Sequence, residues 1–147
     1  RISHPSDRFT VGQEIKVVVT SVTSNRVFLS HKELLGTWQE NAARFTAGET
    51  VSGIVRSVEP YGIFVELAPN LAGLAEPKEK VFPKERASVY IKALIPEKMK
   101  VKLILVDAFA DTEPIEPLSY FVHTSHIDRW QYAPTCAAKQ IETRFDA

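Results

Sequence analysis

Apolar and polar residues alternate in two segments of the chain that follow the same order. The pattern over 15–19 and 26–29 returns 74 residues later, over 89–93 and 100–103. A period of two is typical of a strand with one buried face. Turn-forming residues stand between the two strands in each copy. The sequence therefore predicts the same β-hairpin twice.

The second hairpin belongs to a longer series of strands. Segments of strand length follow one another through the middle of the chain, at 51–58, 62–67, 73–75, 86–95 and 100–106. Five short antiparallel strands in so few residues fit a small barrel, because closure removes the exposed strand edges. We therefore predict an all-β fold with this barrel over 45–107.

The first hairpin has no such strands before it. Nothing ahead of Phe9 is long enough to supply three of them. We interpret residues 1–30 as the C-terminal hairpin of a truncated first repeat. A lone two-stranded hairpin is only marginally stable in water. It is therefore predicted to pack on the barrel or on another chain.

A helical pattern separates the two copies. Ser30 followed by Glu33 matches a capping box. An apolar stripe at helical spacing follows, formed by Leu34, Leu35, Trp38, Ala42 and Phe45. Gly36 interrupts it and weakens a helix by about 1 kcal/mol relative to alanine. We predict a linker helix over 31–44 that docks on the barrel.

The tail over 108–147 has a less regular pattern. Residues 111–117 are rich in acidic residues and proline, and indicate a loop. Residues 118–122 could form a strand. Residues 135–145 fit a closing helix with Thr135 as its N-cap. We therefore predict a C-terminal α/β extension.

Charge is distributed unevenly although the net charge is zero. The formal charge is +2 over 1–48, −3 over 49–77, +5 over 78–102 and −4 over 103–147. Such a division can focus a local field, although a plain solvated surface is the commoner explanation. Cys136 is the only cysteine, which excludes an internal disulfide and favours a reducing compartment. No apolar run is long enough to span a membrane.

Two aromatic residues and several cations are the candidate binding residues. Tyr61 and Phe64 lie around Gly62 at the start of a predicted strand. They could fill the core, which is the commoner role of strand aromatics, or stack against the flat face of a base. Arg56, on the preceding strand, would lie at the edge of this pair.

Strand alternation places more of these candidates. If Val89, Ile91, Val101 and Leu103 point inward, their neighbours point outward. The outward set is Tyr90, Lys92, Lys100 and Lys102. Lysines on such a face could contact backbone phosphates, or could serve solubility alone.

The motifs resemble the S1-type RNA-binding repeat of bacterial small-subunit ribosomal protein S1. They are "GETVSGIVRSVEPYGIFVEL" (48–67), "AGLAE" (72–76) and "ASVYIKALIPEKMKVKL" (87–103), with "FTVGQEIKVVV" (9–19) and "RVFLSHKELLGTW" (26–38) in the first copy. The likeness covers about residues 9–106. It implies a five-stranded OB barrel without catalysis or cofactor. It also implies contact with single-stranded RNA on the ribosome or messenger, hence in the cytoplasm, with ribosomal proteins as further partners.

Three positions depart from the pattern of that family. Glu76 stands where many repeats have histidine, and Ile95 replaces an aspartate before the proline of the hairpin. Lys100 replaces an arginine, which keeps the charge but loses the planar guanidinium. A carboxylate at position 76 would repel phosphate. A protein-docking or spacer module within a multi-repeat ribosome-associated protein is therefore the alternative function.

Enzyme chemistry has little support in the sequence. There is no glycine-rich phosphate loop and no nucleophile elbow. His123, His126 and Asp128 have a spacing that could hold a metal and would suit a metal-dependent hydrolase. One such group, surrounded by proline, serine and threonine, more often consists of ordinary surface residues. We predict neither catalytic nor metal-binding residues.

Overall fold

The structure is a computed structural model, and it describes residues 4–110, 118, 120–123, 126–127 and 129–145. The strands in chain order are β1 (Val18–Val22), β2 (Val27–Ser30), β3 (Thr50–Glu59), β4 (Gly62–Ala68), β5 (Leu71–Ala75), β6 (Arg86–Ile95), β7 (Lys100–Phe109), β8 (Arg129–Gln131) and β9 (Glu142–Arg144). One α-helix, α1 (Trp38–Ala42), is found within the described residues. Short 3-10 turns occupy Pro5–Asp7, Lys32–Leu35 and Pro96–Lys98.

Strands β3 to β7 close into a barrel in the order β3-β4-β5-β7-β6. The predicted five-stranded OB-type barrel is confirmed, and its strands begin and end close to the predicted residues. Four of the pairings are antiparallel, whereas β5 and β7 pair in parallel. The expectation of five antiparallel strands is wrong at that one pairing. The long loop between β5 and β6 makes it possible, since parallel neighbours need a crossover connection.

The alternation of apolar residues explains the core of the barrel. The side chains that fill it are almost fully buried and come from every strand: Val55, Ile63, Val65, Leu71, Val89, Ile91, Val101 and Leu103. Burying each of them stabilises the fold by about 1.5–3 kcal/mol relative to exposure. The predicted inward positions on β6 and β7 are therefore confirmed. The intervening residues of these strands face solvent.

The linker is divided into two short elements instead of the continuous helix predicted over 31–44. A 3-10 turn ends at Leu35, and α1 begins only at Trp38. Gly36, between them, has a φ of +98° that interrupts helical geometry. The capping box of α1 is formed by Thr37 and Glu40, whereas the Ser30 hydroxyl bonds the buried Glu33 carboxylate. The predicted apolar stripe is nevertheless largely buried.

The tail forms a hairpin where a helix was predicted. Strands β8 and β9 pair antiparallel, so the helix predicted over 135–145 is wrong. The helical interpretation depended on Ile141 and Phe145 being four residues apart. That spacing also fits a strand end, because alternation exposes the charged residues of β9 and places Thr143 opposite the buried Trp130. Among 118–122, the described residues are not in a strand. The loop at 111–117 lies outside the described residues.

The first hairpin is present but carries an exposed apolar surface. Strand β1 begins at Val18, later than the predicted Ile15, and the amide of Thr23 donates to the Arg26 carbonyl oxygen at 2.8 Å. Four apolar side chains of the hairpin are each at least half exposed, namely Val19, Val22, Val27 and Leu29. These four side chains therefore keep at least half of their surface open to solvent, and packing on the barrel or on another chain stays a prediction. That residues 1–30 end a first repeat stays a prediction.

Candidate nucleic-acid interface

Tyr61 and Phe64 lie side by side on the outside of the barrel, and we call this pair the aromatic platform. Their ring centroids are 6.1 Å apart and their planes meet at 82°. Tyr61 is 66% exposed, and Phe64 is half-buried. Phe64 points outward because its neighbours Ile63 and Val65 point into the core. Neither ring is part of the barrel core, so both keep surface that could contact a ligand.

Gly62 leaves room for the Leu74 side chain of the neighbouring strand β5. A Cβ at this position would lie 2.7 Å from the Leu74 Cδ1 atom and 2.7 Å from the Ala75 carbonyl oxygen. Glycine is therefore needed for the close approach of β5.

A row of outward side chains runs from the platform across two further strands. Phe64 on β4 pairs with Leu74 on β5, and Leu74 pairs with Lys102 on β7. Since neighbouring strands are about 4.8 Å apart, the backbones of Phe64 and Lys102 are separated by about 10 Å. Lys102 and Lys100 are both exposed on the same side of β7. Aromatic and cationic groups thus share one continuous surface.

Tyr90 and Lys92 lie on β6, which follows β7 around the barrel. Both are exposed on β6, as alternation predicts. Tyr90 pairs with Thr50 and with Ile104 on its two flanking strands. Thr50 is seven residues along β3 from Ser57, the partner of Phe64, so Tyr90 is remote from the platform. Lys92 lies in the bulge between Ile91 and Ala93, which pair with Leu103 and Lys102 on β7, so it adjoins the surface of Lys100 and Lys102.

Arg56 borders the platform within a buried ion cluster. Its Nη2 donates to the Glu66 Oε2 atom at 2.7 Å, and the Arg8 guanidinium bonds the other carboxylate oxygen. All three side chains are about 10–11% exposed. Burial lowers the pKa of Arg8, although the Glu66 carboxylate acts in the opposite direction. The Asp7 carboxylate also acts on Arg8, so two cations are grouped with two anions. Arg8 was not recognised from the sequence.

A cleft of about 860 Å³ opens beside Phe64, between the barrel and the tail hairpin, which we define as β8 and β9. Its lining consists of Lys32, Arg56, Ser57, Phe64, Glu66, Asn70, Leu71, Ala72, Trp130, Tyr132 and Ile141. Sequence reasoning missed the part contributed by the linker and the tail. The aromatic residues of "RWQY" (129–132) were the available indication.

The tail hairpin is tied to the barrel through Tyr132. Its hydroxyl donates to the Asn70 carbonyl oxygen, and its own carbonyl oxygen accepts from the Trp38 amide at 3.1 Å. The Asn70 side chain in turn donates to the carbonyl oxygens of Lys32 and Gly36 at 2.6 and 2.9 Å. Burial raises the pKa of Tyr132 to about 12. These bonds fix the wall of the cleft opposite Phe64.

The three positions that depart from the family pattern lie at the ends of barrel strands. Glu76 is exposed directly after β5, one residue beyond Ala75, which pairs with Ile63. Ile95 pairs with Lys100 across β6 and β7. The Glu76 carboxylate therefore lies at the C-terminal end of β5, whereas Leu71 and Ala72, at the N-terminal end, line the cleft. A carboxylate at this position would repel a phosphate.

Two of the three candidate metal residues lie within the described part of the chain. His123 and His126 are exposed, and Asp128 lies outside the described residues. Within the part of the chain that the structure describes, no group of three histidine, cysteine or acidic side chains could hold a metal ion. Cys136 is exposed.

None of the helices in the described ranges has the length and apolar character needed to cross a bilayer.

Comparison with known proteins places this chain beside bacterial ribosomal proteins. It is 33% identical over 88 residues to small ribosomal subunit protein bS1 of Rhizobium meliloti (strain 1021), covering 58% of this chain and 16% of that protein. It is 30% identical over 129 residues to the bS1 protein of Chlamydia muridarum, covering 86% of this chain and 22% of that protein. The chain thus spans about a fifth of these relatives. No family model matches the chain.

A relative with a different name was also found. The chain is 35% identical over 112 residues to 4-hydroxy-3-methylbut-2-enyl diphosphate reductase of Fusobacterium nucleatum. The alignment covers 73% of this chain but 13% of that protein. So small a share of the relative does not bring its named reaction to this chain.

Proposed function

This chain contains an S1-type OB-fold domain, and from that premise we propose that the barrel binds single-stranded RNA without catalysing a reaction. The observation that supports this function is the aromatic platform of Tyr61 and Phe64, in one outward row with Leu74 and Lys102. We further propose association with the ribosome in the cytoplasm, because two of the three relatives reported above are named ribosomal proteins.

The platform suits the faces of unpaired bases. Stacking of one base on an aromatic ring contributes about 1–3 kcal/mol and depends little on base identity. Tyr61 and Phe64 meet edge to face, so a base stacked on one ring would have its edge near the other. The proposed contact is therefore tolerant of RNA sequence.

The lysines of β7 suit the backbone of the same strand. Lys100 and Lys102 are exposed, so their ammonium groups can approach phosphates that run along the outer surface of the barrel. Each phosphate contact releases counterions and makes binding sensitive to salt. Arg56 lies beside the platform on β3. Two of its donors already bond Glu66, so its proposed role is to set the local charge. Tyr90 and Lys92 would contact a strand that continues around the barrel.

The test is a titration of a labelled single-stranded RNA of about ten nucleotides, within the usual size of OB-fold sites. Phe64→Ala is expected to weaken binding by about 5- to 150-fold, the equivalent of one lost stacking contact. Phe109→Ala is the matched control, because Phe109 is 49% exposed and lies seven residues along β7 from Lys102. At about 3.3 Å per residue, that is roughly 23 Å away.

Salt dependence provides the second measurement. Lys102→Gln is expected to lower the slope of log affinity against log salt by about 0.7, the value for one phosphate contact on a single strand. Lys139→Gln, at an exposed position of the tail, should leave the slope unchanged. Absence of binding at low salt, or equal affinities for wild type and Phe64→Ala, would reject the function and favour a protein-docking module.

A further inference from the structure

We infer that the cleft between the barrel and the tail hairpin holds the nucleotide next to the one that stacks on the aromatic platform. The inference rests on the proposed function and adds to it a second base site, formed by the tail. Phe64 belongs to both sites, because it contacts Tyr61 on the platform and also lines the cleft. A single strand could therefore pass from one site to the other without leaving the protein surface.

The size of the cleft suits a small planar ligand. Its volume of about 860 Å³ lies within the range of about 300–1,000 Å³ for small-molecule sites. Three aromatic side chains line it, Phe64 from the barrel with Trp130 and Tyr132 from the tail. The Trp130 and Tyr132 ring centroids are 5.8 Å apart and their planes are inclined by 43°. A base has two flat faces and could contact the barrel ring and the tail rings together.

Trp130 also offers a hydrogen-bond donor that is not in use. The side chain is 7% exposed, and among the described residues its indole Nε1 has no hydrogen-bond partner. A buried N–H without an acceptor costs about 1–3 kcal/mol. Base carbonyls and phosphate oxygens are acceptors of the kind that would satisfy it. The N–H is itself buried, so such an oxygen would reach it only when the Trp130 ring turns toward the cleft.

The charge around the cleft favours an anion. Glu66 lines it, but Arg8 and Arg56 both bond this carboxylate and together outnumber it by one charge. Lys32 adds an exposed cation at the rim. The Asp7 carboxylate also acts on Arg8, so the two arginines are balanced by two carboxylates, and Lys32 supplies the net positive charge that would attract a phosphate.

The wall formed by the tail is fixed before any ligand arrives. Tyr132 bonds Asn70 and Trp38, its amide donates to the Ile141 carbonyl oxygen at 2.8 Å, and the Ala138 amide donates to the Glu97 carbonyl oxygen at 3.0 Å. A preformed wall reduces the entropy lost on binding. The tail hairpin is therefore a preformed wall of the proposed site.

The first test fills the cleft from the barrel side. Ala72 is exposed on β5 and lines the cleft, so Ala72→Trp should fold and occupy the space. We expect it to weaken binding of the ten-nucleotide RNA by at least about 5-fold, the lower limit for loss of one stacked base. Ala47→Trp adds the same ring at an exposed position away from the cleft, and should bind as wild type does.

The outcomes separate this inference from the proposed function. Weakened binding by Ala72→Trp and not by Ala47→Trp supports the cleft. Wild-type affinity of Ala72→Trp, with Phe64→Ala still impaired, overturns the cleft and leaves the proposed function standing. If the RNA does not bind wild type at all, both fail. Titration with uridine and adenosine monophosphates tests the cleft alone. Binding of these that Ala72→Trp abolishes, with the RNA affinity of that variant unchanged, would assign the cleft to free nucleotides instead of RNA.

A second variant tests the cleft even if Ala72→Trp does not fold. Lys32 is exposed, and only its backbone carbonyl oxygen is used by Asn70, so Lys32→Gln should leave the fold intact. Its expected effect is a decrease of about 0.7 in the salt slope of RNA binding. An unchanged slope would mean that no phosphate lies at the rim, and would overturn the inference.

Discussion

At the scale of single residues, the ion cluster of Arg8, Arg56 and Glu66 shows how charges far apart in sequence become one unit. Arg56 and Glu66 lie on paired strands, while Arg8 arrives from the segment before the first hairpin. Buried ion pairs contribute little net stability, but removing one partner leaves an uncompensated charge. The cluster also holds the N-terminal segment against the barrel, since Arg56 Nη2 donates to the Asp7 carbonyl oxygen at 3.3 Å.

We predict that Glu66→Gln will strongly destabilise the fold, because two buried guanidinium groups would face each other without a carboxylate. The expected decrease in the free energy of unfolding is about 3–5 kcal/mol, measured by urea denaturation. Glu142→Gln is the control, because its partners Arg129 and Arg144 are 54% and 70% exposed. Exposed pairs contribute little, so its unfolding midpoint should match that of wild type. Equal midpoints for both variants would contradict the prediction.

At the scale of elements, the linker shows why an apolar stripe did not yield one helix. The stripe is buried, but Gly36 has φ +98° and ψ 155°, a region open essentially to glycine alone. A Cβ there would lie 2.7 Å from the Asn41 side-chain nitrogen and 2.7 Å from the Phe121 ring. Tertiary contacts with the tail thus fix the break. The Phe121 amide adds to them by donating to the Leu34 carbonyl oxygen at 2.8 Å.

Gly36→Ala is expected to lower the free energy of unfolding by more than the backbone term alone, which is about 1–3 kcal/mol. Gly12→Ala isolates that term, because Gly12 has φ +87° and nothing within 4 Å of its added Cβ. The excess of the first variant over the second measures the crowding of Asn41 and Phe121. Equal losses in urea denaturation would show that these contacts give way freely.

At the scale of the whole molecule, the tail and the barrel form one surface through Tyr132. Its hydroxyl bonds the turn between β4 and β5, and its ring lines the cleft. Burial raises the pKa of this hydroxyl to about 12, above the ordinary value of 10. As pH rises, the Tyr132 hydroxyl therefore ionises at a lower pH in the unfolded chain than in the folded protein. The stability that this group provides is complete below pH 10 and declines between about pH 10 and 12.

Tyr132→Phe is expected to reduce this alkaline loss and to lower stability at pH 7 by about 1 kcal/mol, the usual value of one hydrogen bond. The comparison is urea denaturation of wild type and variant at pH 7, 9 and 11, with both chains measured at the same ionic strength. The difference between them should become smaller at pH 11. A difference that stays constant across this range would contradict a buried, neutral hydroxyl.

The sequence by itself determined the barrel strands, their inward and outward faces and the duplicated hairpin. These follow from a period of two and from turn residues, which act over a few neighbours. Only the tertiary structure decided that Arg8 would meet Glu66, that the linker would break at Gly36, and that 135–145 would form part of a hairpin. Each depends on contacts between distant segments, which can override weak local preference. The cleft has the same origin, because its two walls meet only when the tail folds back onto β4 and β5.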